Sequence, residues 1–265
     1  MAIITISRGS YSRGKEIAEK VAQKLGYECI ARETLLEASA QFNIPEIKLV
    51  RAIYDAPSLL DRYTYGKERY IAYIQAALLR HVRRDNIVYH GLAGQFLLTG
   101  ISHVLRVRVI SDWDDRVAFE MERENIPRKE AERILKSDDE ERRKWSKHLY
   151  GIDTADPSLY NLVLHIKAPL TPDDAVDIIC HTVGLPHFQT TAQSQKALED
   201  QLLASEVKVA LLDIKPDIDV SARDGMVLVK TKAHISQEAH LAHMIREAGG
   251  HVPGVKGISV DVQVR

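Results

Sequence analysis

Short apolar blocks and longer amphipathic stretches take turns along most of this chain. Residues 2–6 (Ala2, Ile3, Ile4, Thr5, Ile6) are β-prone and closed by Gly9. From Arg13 onward, Ile17, Val21 and Leu25 recur one helical turn apart with Ala18 and Ala22 beside them, and Gly26 stops the helix they predict. Residues 27–31 read as a second short strand. Helical patterns follow over 33–41, 45–54 and 67–84, the last with Ile71, Ile74, Leu78 and Val82 along one face. Strands are predicted over 86–89, closed by His90 and Gly91, over 104–110, and over 162–166. Asp112 opens a charged helix, and Thr171-Pro172-Asp173-Asp174 opens another, with Thr171 as N-cap and Pro172 at the first helical position.

Buried strands alternating with helices imply a parallel sheet with helical crossovers, an α/β architecture with helices on both faces. Ligands of such sheets bind at the carboxyl ends of the strands, the edge where Gly9, Gly91 and Ser111 fall. Around 184–194 the periodicity lapses into Gly, Pro, Gln, Thr and Ser, which reads as a linker. Beyond it the order changes. A helix over 195–203 precedes β-prone runs at 207–212, 218–221 and 226–231, with Asp224-Gly225 as a hairpin signal. A helix over 236–248 and a final strand over 257–264, alternating Ile258, Val260, Val262 and Val264, complete a small α+β domain. The expected domains are therefore 1–183 and 195–265, with 184–194 between them.

Composition adds mainly exclusions. The chain has 265 residues, 45% hydrophobic and 28% charged, with a net charge of −1. That length suits one large and one small domain, and the charge offers no bulk attraction for nucleic acid or an anionic membrane. No nucleic-acid partner is expected. Cys29 and Cys180 are the two cysteines and stand in unrelated contexts, so no zinc or disulfide framework is expected. The first residues read as a buried strand, not a signal peptide, and no apolar run is long enough for an integral membrane segment, so the expected location is cytoplasmic.

Between the first strand and first helix stands Gly9-Ser10-Tyr11-Ser12-Arg13-Gly14-Lys15, which fits G-x-x-x-x-G-K in the strand–turn–helix context that motif needs. Glycines let backbone amides curl around a polyphosphate. The helix N-terminus adds partial positive charge, and Lys15 adds a mobile full charge. The usual hydroxyl residue after the lysine is replaced by Glu16, leaving Ser10 or Ser12 as candidate hydroxyls. Further along, Arg142, Arg143, Lys144 and Lys147 follow the acidic run 138–141 on one helical stretch. They read either as a solvated face with local ion pairs or as a lid that carries arginines to phosphates. Arg80, Arg83 and Arg84 end a helix, where cations favour the helix dipole.

ITISRG, SRGKEIAEKVAQKLG and ARETLLEAS, then NIVYHGLAG, VLRVRVISDWDDRV, IPRKEAERILKSDDEERRKW and YGIDTADPSLYNLVLHIKAPLTPDDAVDII, together resemble the cytidylate-kinase-like family of P-loop proteins over about residues 1–183. The resemblance implies a P-loop three-layer αβα fold with a helical lid, and a kinase (a transferase) moving a phosphoryl group from ATP, with Mg2+, to a nucleoside monophosphate, CMP above all. By position it implies that Gly9 to Lys15, with Glu16 adjoining, bind phosphate and that Lys15, Arg142 and Arg116 are catalytic. Asp139 and Arg143 are further lid candidates. DGMVLVKTKAH, a helix and VPGVKGISVDVQV resemble a BON domain over about 195–265, which implies a regulatory or binding module taking a small ligand or a protein partner. Two functions are therefore expected as alternatives: a nucleoside monophosphate kinase, or a non-catalytic nucleotide sensor that signals through the C-terminal domain.

Overall fold

Six residues of unbroken β-prone sequence, Ile3–Arg8, form strand β1, buried over its first five positions. The structure, a computed structural model, describes residues 1–9, 12–31, 66–91 and 93–264. The helices expected over 33–41 and 45–54 lie outside these. After β1 come α1 (Gly14–Leu25), β2 (Glu28–Ala31), α2 (Gly66–Val82), β3 (Ile87–His90), the short α3 (Gly94–Leu97) and β4 (Val104–Ser111). They are followed by α4 (Trp113–Glu124), α5 (Arg128–Tyr150), β5 (Leu162–Ile166) and α6 (Pro172–Val183). The strands form one parallel sheet in the order β2-β3-β1-β4-β5, the expected α/β arrangement.

Capping explains several boundaries. Gly26 adopts φ 68° and closes α1 by donating its amide to the carbonyls of Ala22 and Gln23. Thr171 and Asp174 form a reciprocal capping box at α6, with Pro172 at its first position. Asp112 is the N-cap position of α4, but its carboxylate turns instead to His165 Nε2 at 2.8 Å and Lys167 Nζ at 2.6 Å.

The two faces of the sheet differ in chemistry. Ile4, Ile6, Val88, Val107 and Val109 share one face and pack with Ile17, Ala18 and Val21 of α1 and Ala175, Val176 and Ile179 of α6. Strand register places Thr5 beside Tyr89 and Arg106, and Ser7 beside Arg108, on the opposite face. There a Cβ on Gly94 would come within 2.5 Å of the Tyr89 ring and 3.2 Å of Thr5 Cγ2, so α3 approaches this face as only glycine allows.

Packing divides the described chain into two units: 1–31 with 84–191, and 66–83 with 192–264. In the first, segment 184–191, read as linker, is tied to the chain start: the Met1 amino group donates to Gln189 Oε1 at 2.8 Å and Thr190 N donates to the Met1 carbonyl at 2.8 Å. In the second, α7 (Ala192–Leu211) precedes β6 (Asp219–Arg223), β7 (Met226–Ala233), α8 (Glu238–Gly250) and β8 (Gly257–Val264). β6 and β7 are antiparallel through Asp224-Gly225, both at positive φ as a tight hairpin requires, and β8 joins β7 in parallel. The strand expected over 207–212 is instead the end of α7. Leu198, Leu202, Val207 and Leu211 are buried at helical spacing, so the helix period prevails over the β-branched residues in that stretch. Val207 and Leu211 join Val227, Val229 and Ile245 in the core of this unit. α2 belongs here too: Ala72 and Tyr73 pack on Leu212, and Arg80 pairs with Glu206 at 2.8 Å. Among the described residues no helix is long and apolar enough to cross a membrane.

Candidate functional site

The turn between β1 and α1 is built from side chains that hold the backbone close. Ser12 is fully buried, and its hydroxyl lies 3.0 Å from the Gly9 carbonyl and 3.1 Å from the Val109 carbonyl, stapling the turn to β4. This occupies one of the two candidate hydroxyls with backbone; Ser10, the other, lies with Tyr11 outside the described residues. Arg13 takes the left-handed conformation at φ 58°, and its guanidinium carbon sits 5.3 Å from the Phe119 ring centre. A Cβ on Gly14 would meet Arg8 Cβ at 2.7 Å, so the start of α1 presses on the end of β1 in a way no other residue permits. The loop residues Gly9 and Ser12 open onto a cleft of about 300 Å³ at the carboxyl edge of the sheet.

From the other side the cleft is closed by α4 and α5. These two helices pack through Val117, Ala131 and Leu135, with Trp113, Met121 and Ile126 around them. Arg116 of α4 donates to Asp139 of α5 at 2.7 Å, and its guanidinium carbon lies 5.6 Å from the Trp113 ring centre. The arginine and the lid acid named from sequence are thus one buried-edge ion pair, with the arginine side chain 12% exposed. Arg142 and Arg143 line the same cleft from α5.

Of the residues named from sequence, the structure brings Gly9, Ser12, Arg116, Asp139, Arg142 and Arg143 together in one cleft. Lys15 and Glu16 are placed differently. Lys15 is 62% exposed and reaches Glu19, one turn along α1, at 3.7 Å. Glu16 turns to Lys20 at 3.0 Å and to Arg13 at 3.9 Å. Neither lines the cleft. Of the basic helix end, Arg80 pairs with Glu206 and Arg84 with Glu28 at 3.0 Å.

Four further polar residues of the cleft were not singled out from sequence: Arg8, Arg108, Asp153 and Thr154. Arg106 and Arg108 alternate within the run 104–110, and charged residues in a strand of a sheet covered on both faces are a signal that could have been used. Tyr160, just before β5, holds Arg108 from below, with Nη1 donating to its hydroxyl at 3.3 Å. Five arginines (8, 108, 116, 142 and 143) and two aspartates (139 and 153) line one concavity, an excess of positive charge suited to a polyanion. Guanidinium groups bind phosphate oxygens in bidentate fashion and stabilise charge spread over the equatorial oxygens of a phosphoryl group in transfer. Among the described residues no group of three or more His, Cys, Asp or Glu side chains could hold a metal ion; Asp139 and Asp153 are the carboxylates that line the cleft.

The model of the cytidylate kinase-like family matches residues 3–168. No curated protein matches the chain. Among solved structures, the crystal structure of an uncharacterized protein from Eubacterium ventriosum is 20% identical and covers 69% of this chain and 98% of its own, with a TM-score of 0.52. A shikimate kinase from Bacteroides thetaiotaomicron is 10% identical over 69% of this chain and 99% of its own, with a TM-score of 0.43. A sugar kinase from Janibacter sp. is 13% identical over 72% and 99%, with a TM-score of 0.41. The first of these likenesses bears on architecture alone.

Proposed function

Because the chain belongs to the cytidylate kinase-like family, we propose that it is an ATP-dependent kinase whose acceptor is a nucleoside monophosphate of the CMP type. The observation that carries this reading is the arginine-lined cleft between the β1–α1 turn and the α4–α5 pair. ATP phosphates lie against the Gly9–Gly14 turn and the start of α1, where backbone amides and the helix dipole favour negative charge. An oxygen of the acceptor phosphate forms a bond to the γ-phosphorus as the bond to the β-phosphate oxygen breaks, leaving ADP and a nucleoside diphosphate. No covalent enzyme intermediate is required, because positioning and charge supply the rate. Arg142 and Arg116 stabilise the transferring group, Arg116 held in place by Asp139. Lys15 reaches the phosphates by a change of side-chain rotamer, exchanging Glu19 for the ligand. Mg2+ would enter with ATP and offset phosphate charge; Glu16 and Ser12 are committed to Lys20 and to backbone, so the nucleotide, water and the cleft aspartates would be its partners.

One observation favours a second reading. Lys15 is paired with Glu19, and Glu16 stands where the magnesium-binding hydroxyl is usual, an arrangement suited to a nucleotide sensor without turnover. In either case the C-terminal unit, with its α-β-β-α-β order, serves as a BON-like module binding a small ligand or protein partner, and the protein works in the cytoplasm. The test is phosphoryl transfer from ATP with Mg2+ across CMP, dCMP, UMP, AMP and GMP. Turnover of one monophosphate, lowered about a hundredfold or more in Lys15→Ala, is the expected result. Nucleotide binding without turnover on any acceptor would instead select the sensor.

A further inference from the structure

α1, which follows the Gly9–Gly14 turn, packs on the apolar face of the five-stranded sheet, the face of Ile6, Val107 and Val109. Arg108 belongs to the opposite face, in register with Ser7. That face carries polar groups where a sheet covered on both sides normally carries apolar ones. Thr5 Oγ1 is buried there without a hydrogen-bond partner among the described residues. The Tyr160 hydroxyl is the hub: it donates to the Thr154 carbonyl at 2.9 Å, accepts from Gln95 Nε2 at 3.2 Å and from Arg108 Nη1 at 3.3 Å, and lies 3.2 Å from Ser7 Oγ. The Arg108 guanidinium carbon also stands 5.6 Å from the Tyr160 ring centre. Ring face and hydroxyl together fix a guanidinium that lines the cleft. No carboxylate among the described residues lies within ion-pair distance of it, and a half-buried charge in a strand is costly unless an anion answers it.

We infer that Arg108 binds the acceptor's own phosphomonoester group, and that Tyr160 is the residue that positions it. Donor and acceptor phosphates then approach the strand ends from opposite faces of the sheet, the donor from the α1 side and the acceptor from the Arg108 side. This assignment rests on the kinase reading for the word acceptor, but the anion site itself does not.

The test is titration with inorganic phosphate, the smallest form of the group, of protein saturated with a non-hydrolysable ATP analogue that fills the turn. Phosphate binding is expected to weaken about tenfold or more in Arg108→Gln and about threefold in Tyr160→Phe, with Arg108→Lys in between. Affinity for the ATP analogue stays within about twofold throughout, which also reports that the variants are folded. Tyr160→Phe is expected to raise KM for the acceptor and leave KM for ATP unchanged, a split that general loosening of the fold would not give. Should Arg108→Gln fail to fold, Tyr160→Phe and Arg108→Lys carry the same comparison. Equal phosphate affinity in wild type and variants overturns the assignment and leaves the kinase reading intact. If the ATP analogue does not bind at all, the kinase reading fails. Phosphate titrated alone then still decides the anion site: weakening in Arg108→Gln supports it, and no change overturns it.

Discussion

At the scale of single residues, the informative positions are polar groups in places that favour apolar ones. Arg108 is one, and His103 is another. His103 is fully buried, and neither ring nitrogen has a hydrogen-bond partner among the described residues. Burial pushes its pKa below the ordinary 6.5; the amino terminus acts in the same direction and Asp85 opposes both. The sign follows from linkage. In the unfolded chain the imidazole takes a proton as pH falls through about 6.5, while in the folded protein it does so only at lower pH. Stability is therefore constant from this source above that pH and is lost as pH falls from about 6.5 toward the folded value. The expected outcome is that the thermal midpoint of wild type drops between about pH 7 and pH 5, and that His103→Leu drops measurably less over the same range. Equal acid sensitivity in both proteins would count against it. At this scale the sequence was only partly legible. Arg116, Asp139, Arg142 and Arg143 could be named by position, but their convergence on one cleft depends on the packing of α4 on α5. Lys15 shows the converse: the motif identifies it, while the side chain's rotamer, and so its partner Glu19, is set by the exposed face of α1.

At the scale of elements, boundaries marked by capping chemistry were read correctly, as were the strands at 104–110 and 162–166, while the strand expected over 207–212 was not. Thr171 and Asp174 exchange hydrogen bonds at the start of α6, with Thr171 Oγ1 accepting from Asp174 N at 3.2 Å and Thr171 N donating to Asp174 Oδ2 at 2.8 Å. Thr171→Ala removes the cap while Pro172 keeps the first turn preset, and is expected to cost about 1 kcal/mol in urea unfolding. A change near zero would mean that burial of Ala175, Val176 and Ile179 alone fixes the end of this helix. α7 is the counter-example. Val207 and Val209 suggested a strand, but Leu198, Leu202 and Leu211 share a helical stripe with Val207, and burial against Val227 and Ile245 decides the matter. Propensity is a weaker guide than a buried stripe when the two compete.

At the scale of the molecule, the alternation of short strands and helices was enough to predict a parallel α/β sheet followed by a smaller α+β unit, and the strand order places the ends of β1 and β4 side by side as a ligand edge requires. Sequence periodicity does not say that α2 packs with the C-terminal elements, because an amphipathic stripe shows that a face is buried without naming what buries it. The central claim is that this arginine-lined cleft catalyses phosphoryl transfer even though Glu16 replaces the usual hydroxyl. The most direct measurement compares turnover of ATP and nucleoside monophosphate by wild type with that of Glu16→Thr, under saturating Mg2+. Wild-type turnover, with the variant changed by no more than about tenfold, is the predicted result, with most of the charge stabilisation assigned to the cleft arginines. Turnover that appears only in Glu16→Thr would contradict the claim and make the natural protein a nucleotide sensor.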